Sequence, residues 1–170
     1  LYNSIIIYQL KLVDLLQNIS YINNKLIFYK LISIKNDDNN YIINIKNENH
    51  TLGNVINEYI YNNYNKLYID TCSYKNIHPL KEEIVISINL KNEILEKIPN
   101  KLFYLDDEYN IKYVDDNQNY IIYMFQYSII NILSDLNQLK NQIGNNYNLS
   151  KTNFDIDFYD NIKNIINISQ

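Results

Sequence analysis

"YIINIKNENHTLGNVINEYIYNN", residues 41–63, changes its period halfway through. At its start Tyr41, Ile43 and Ile45 alternate with Ile42, Asn44 and Lys46, the two-residue repeat of a strand. From Asn49 the apolar positions Leu52, Val55, Ile56, Tyr59 and Ile60 fall three and four apart, which predicts a helix running to about Asn63. Asn49 stands where an N-cap belongs, its side-chain oxygen able to accept a bond from an unpaired N–H of the first turn. Thr51 is a weaker candidate for that role. Gly53 is costly inside a helix relative to Ala, so its presence predicts that another backbone comes close there.

Working outward, "KLIFYKLISIK" before this stretch is apolar and β-favouring, and "NDDNN" joins it to the Tyr41 strand as a hairpin with a loop of about five residues. Earlier still, Ile5, Tyr8, Leu12, Leu15, Ile19 and Ile22 define the stripe of an N-terminal helix. Downstream, "KLYIDTCSY" and "EEIVISINL" read as two more strands, with Ile84, Ile86, Ile88 and Leu90 on one face and Val85, Ser87 and Asn89 on the other. Pro79 keeps His78 out of helical geometry in the link between them. Residues 92–120 read as an insertion: a short helical piece, a break at Pro99, and a hairpin of "KLFYL" and "IKYV" about Asp106 to Asn110.

Ile122, Phe125, Ile129, Ile132, Leu136, Leu139 and Ile143 then step by three and four without a miss, and Gly144 is placed to end that helix. A weak last helix is expected near Asp157 to Ile168. The fold class is therefore α+β: a four-stranded, mostly antiparallel sheet with helices on one face, in a ββαββα order. The expected divisions are an N-terminal helical extension at 1–24, a core domain at 25–144 and a tail at 145–170.

At 170 residues and 46% hydrophobic content the chain has enough for one globular core. Its Asn, Ile, Lys and Tyr bias, with no Ala, Arg or Trp, is the mark of an AT-rich genome, so Asn-rich stretches and Asn-x-Ser/Thr triplets carry no functional weight. A net charge of −4 with lysine as the only strong base argues against a dedicated nucleic-acid surface. The single Cys72 excludes an internal disulfide and suits a reducing, intracellular setting. The first apolar stretch carries Gln9, Lys11, Asp14 and Gln17 and is neither a membrane span nor a signal peptide. Leu1 in place of Met makes a cropped or processed chain the expectation.

Chemistry finds little support. His50 as a general base, or with Cys72 and His78 as a metal ligand, lacks the paired ligand spacing of a zinc site. The acidic group Asp106, Asp107, Glu108, Asp115 and Asp116 lacks the alternation and turn glycine of a calcium loop, and reads as a solvated turn. No phosphate loop or nucleophile elbow is present. No cofactor, metal or catalytic residue is expected. The seven-residue seam, by contrast, needs cover. A helix of about 33 Å overhangs strands of about 26 Å, and so narrow a seam favours an intermolecular helix pairing over packing on the chain's own sheet. Ile122 to Ile143 are the expected interface.

"ENHTLGN" (Glu48, Asn49, His50, Thr51, Leu52, Gly53, Asn54), followed by Tyr74, His78 and Pro79 in "CSYKNIHPLKEEIVISI", resembles the small alpha-like subunit of archaeal and eukaryotic RNA polymerases, the family of archaeal subunit L. Asn49 stands where the family has Asp, which keeps the cap and removes a charge. The resemblance implies a non-catalytic assembly role. Such a subunit pairs through its helices with a larger alpha-like subunit, and the pair forms the platform for the large catalytic subunits, without specific nucleic-acid contact of its own. It also implies a nuclear protein if the source is a cellular eukaryote, while the AT bias, the inserted segment and Leu1 in place of Met raise an AT-rich protist or a large DNA virus as the source, with a cytoplasmic viral factory or the virion as the setting if viral. The competing readings are a helix-mediated homodimeric scaffold outside transcription, and a small enzyme using His50 or His78.

Overall fold

The computed structural model describes residues 2–77, 81–114 and 119–147, with side chains as far as Gly144. In chain order the elements are α1 (Tyr2–Gln17), β1 (Ile19–Ile22), β2 (Lys25–Phe28), β3 (Ile32–Asp37), β4 (Asn40–Lys46), α2 (His50–Tyr64), β5 (Ile69–Asn76), β6 (Glu83–Leu90), β7 (Leu102–Leu105), β8 (Ile111–Val114) and α3 (Tyr120–Tyr147). His78, Pro79, Asp115, Asp116 and the helix expected near Asp157 lie outside the described residues.

The central sheet has the order β3-β4-β6-β5, with every neighbouring pair antiparallel. The β3, β4, α2, β5, β6, α3 path is the ββαββα core that the alternation and period changes predict. Pairing of Ile43 with Ile86 and of Ile45 with Ile84 puts fully buried isoleucines on one face. Asn44 opposite Val85 and Ile42 opposite Ser87 lie on the other. Helix α2 packs on β5 and β6, so its apolar stripe and the isoleucine face share one core.

The N-terminal region differs from its expected form. Helix α1 stops at Gln17 instead of continuing to Ile22, because Asn18 takes over its end. The Asn18 side chain donates to Asp14 O (2.7 Å) and accepts from Leu31 N (2.8 Å). The β-branched Ile19 and Ile22 then enter β1, and Asn23 and Asn24, both at positive φ (51° and 61°), turn the chain into β2. The expected single strand over 25–35 is thus two, broken by Lys30 at φ 54°. The loop between β3 and β4 is two residues, not about five, because Asp37 and Asn40 pair directly. The short helix expected after 92 does not form. Three tyrosine hydroxyls instead hold carbonyls of that segment, Tyr120 on Glu96 (3.4 Å), Tyr68 on Lys97 (3.3 Å) and Tyr127 on Lys101 (2.7 Å). Ile98 is buried beneath it. The expected hairpin after it is β7–β8, its turn braced by Asp106 Oδ1, which accepts from Glu108 N and Asn110 N.

Helix α3 corrects the largest expectation. Ile122, Phe125, Ile129 and Ile132 are buried within the chain itself. Their neighbours Ile121, Met124 and Ile130 are buried too, as are the polar Gln126 and Ser128, so residues 121–130 of the helix are buried all round. Helices α1 and α2 and strand β7 pack against α3. Phe28 of β2 meets Phe125 edge-on at 5.2 Å, and Phe103 of β7 meets Tyr127 at 6.4 Å. The segments that flank and interrupt the core therefore clothe the seam that was expected to await a second molecule. Gly144 does not end α3, which continues through it to Tyr147.

Candidate protein-docking site

The motif Glu48 to Asn54 builds the entrance of α2. Asn49 is the N-cap, in extended conformation (φ −96°, ψ 170°), and its Oδ1 accepts from Thr51 N (3.1 Å) and Leu52 N (3.3 Å). Leu52 and Gly53 are buried, Gly53 against the sheet, while His50, Thr51 and Asn54 are exposed. A Cβ on Gly53 would lie 2.8 Å from Ile84 Cδ1 and 3.3 Å from Tyr74 Cδ2. The close approach is therefore made by side chains of β6 and β5, not by the backbone that the sequence led us to expect. Tyr74, half-buried on β5, reaches the same spot as Gly53, which brings two parts of the motif together.

Glu48, immediately before the cap, is 7% exposed and accepts from Lys11 Nζ of α1 at 2.9 Å. Burial pushes its carboxyl above the usual range, and the Lys11 ammonium pulls against that shift. On the outward side of α2, the Tyr59 hydroxyl donates to Asp135 of α3, and burial, with the carboxylate beside it, pushes the phenol up to about 12.

An apolar cleft of about 190 Å³ is lined by Tyr8 and Leu12 of α1, Thr51, Leu52 and Val55 of α2, and Ile132 and Leu136 of α3. Its lining presents no polar surface. Leu136 is half-buried at the rim, Leu139 one turn further is exposed, and Ile143 is half-buried. Of the seven seam residues, Leu136, Leu139 and Ile143 thus remain within reach of another molecule.

Chemistry has no comparable setting. Among the described residues no group of His, Cys, Asp and Glu stands together as a metal site, and no helix is long and apolar enough to cross a membrane. Cys72 donates its thiol to Asn57 Oδ1 at 3.2 Å, and burial pushes that thiol up to about 12, far from a reactive thiolate. Sequence reasoning missed Tyr8, Leu12 and Val55 as cleft residues and Lys11 as the partner of Glu48. The apolar three stand on helical stripes whose spacing does not separate a cleft wall from a core face, and no spacing rule connects positions 11 and 48.

Residues 40–111 match the RNA polymerase Rpb3/Rpb11 dimerisation domain. No curated protein matches the chain. The matched span opens on β4, contains the capped entrance of α2 and the Gly53–Tyr74 contact, and ends at the start of β8. Motif and sheet order agree with this match, and residues 40–111 are thus similar to the dimerisation domain of the alpha-like RNA polymerase subunits.

Proposed function

We propose that the chain is a non-catalytic assembly subunit of a multisubunit DNA-directed RNA polymerase. It pairs with a larger alpha-like subunit, and the pair is the platform on which the catalytic subunits assemble. The observation that carries this reading is the apolar cleft between α1, α2 and α3, whose α2 wall includes Thr51 and Leu52 of the family motif. An aliphatic side chain of the partner entering it, with Leu136, Leu139 and Ile143 covered alongside, would bury about 0.8 kcal/mol per CH₂ group. Association costs about 4–15 kcal/mol, so the full interface has to recruit further surface.

The test is co-expression with the larger alpha-like subunit and light scattering on the purified product. Val55→Asp with Leu136→Asp puts two charges on the cleft rim and should abolish the heterodimer while leaving the circular dichroism of the chain unchanged. Ile132, the natural choice from the seam alone, is unsuitable because a charge at so buried a position would unfold the chain. A stable homodimer of the isolated chain, indifferent to the larger subunit, would instead support the scaffold reading. Turnover lost on replacing the exposed His50, with pairing intact, would support an enzyme.

A further inference from the structure

The match to the dimerisation domain starts at residue 40, yet one wall of the cleft comes from α1, which precedes it. Lys11 sits on α1 directly between the two cleft residues of that helix, Tyr8 one turn before and Leu12 next in sequence. Glu48 holds the equivalent place on the opposite wall, just ahead of the cap of the helix that supplies Thr51, Leu52 and Val55. Their 2.9 Å bond therefore joins α1, beside Tyr8 and Leu12, to the residue just ahead of the α2 cap.

The burial is unequal: 8% of the Glu48 side chain is exposed against 35% for Lys11. A shielded carboxylate needs its ammonium in place, unlike the carboxylate of a surface pair, which water would serve almost as well. The remainder of α1 packs on α3, β1 and β7, so Lys11 and Glu48 form the polar tie from this helix to the motif.

We infer that Lys11 and Glu48 are a positioning pair that sets the width of the docking cleft, holding Tyr8 and Leu12 opposite Leu52 and Val55 so that the cleft admits an aliphatic side chain from a helix of the larger alpha-like partner. The inference rests on the docking reading proposed above. It gives the first residue of the motif a task outside its own helix, and it makes the N-terminal helix part of the recognition surface.

The experiment combines a geometric and a binding readout on the full chain. Spin labels at Ile7→Cys and Asn54→Cys, two exposed positions on α1 and α2, in a Cys72→Ala background, report the separation of the walls. The Kd for the larger alpha-like subunit is measured alongside. Lys11→Met should broaden the distance distribution and weaken pairing about tenfold, and the double variant Lys11→Met with Glu48→Met should do the same, whereas Lys11→Arg should keep the parent distribution and a Kd within about threefold of the parent. The double variant contains no stranded charge, so it decides the matter even where Lys11→Met folds poorly. An unchanged distribution in Lys11→Met, or a broadened one with unchanged Kd, overturns the positioning role. A Kd equally insensitive to Val55→Asp with Leu136→Asp overturns the docking reading itself, whatever the spin labels report.

Discussion

Within α3, Ile122, Phe125, Ile129 and Ile132 are at most 3% exposed, whereas Leu136 is half-buried and Leu139, the next step of the same spacing, is 42% exposed. One uninterrupted rhythm of threes and fours thus runs through two environments. Over the first half, α2, the β1–β2 hairpin and β7 close around the helix, and aromatic contacts at Phe28 and Phe103 fill the gaps. Over the second half the cleft opens. The contrast teaches that periodicity states how much apolar surface needs cover and along which line, but does not say which chain supplies the cover.

The contrast can be broken most directly at Phe125, where truncation leaves a hole that neighbours fill only partly. Phe125→Ala is expected to cost about 3–5 kcal/mol in denaturant unfolding, and a loss below about 1 kcal/mol would mean that the first half is not a true core. Next comes the opposite signature in the second half. Leu136→Asp with Leu139→Asp should change unfolding free energy by less than about 1 kcal/mol yet weaken pairing with the larger alpha-like subunit at least about a hundredfold, read by titration calorimetry. Equal damage to both readouts would erase the distinction between the halves.

Two smaller changes sharpen it. Tyr127→Phe removes the 2.7 Å bond to the Lys101 carbonyl and should cost about 1–2 kcal/mol of stability with no effect on pairing, since that hydroxyl serves only the chain's own inserted segment. Gly144→Ala should stabilise by about 0.5–1 kcal/mol in a thermal melt. The nearest atom to an added Cβ there is Tyr2 Cε2 at 4.0 Å, so the helix-propensity gain comes without a clash. The same substitution at Gly53, against Ile84 at 2.8 Å, should not stabilise.

The strand-to-helix change at Asn49 was legible because capping and period are local: the Asn49 oxygen reaches backbone N–H groups two and three residues away whatever else the chain does. The alternation of Ile84, Ile86 and Ile88 was legible for the same reason. The β1–β2 hairpin was harder to see, since Ile19 and Ile22 continue the helical spacing of α1 and only the Asn18 bond to Leu31 and the positive φ at Asn23 and Asn24 reveal the switch. Nothing near Lys11 announces Glu48, and nothing near Leu12 separates a cleft wall from a core residue.

By itself, then, the sequence determined the ββαββα order, the capped entrance of α2, the family motif and the existence of a long apolar helix, all properties carried by neighbours along the chain. Tertiary structure decided that four of the seven seam residues are spent inside the molecule, that α1 joins the motif through an ion pair, and that a cleft opens where α1, α2 and α3 meet. Those outcomes depend on which distant segments reach the same point in space. Hydrophobic burial is non-directional and is satisfied by any apolar surface that arrives there, so local pattern alone leaves the choice open.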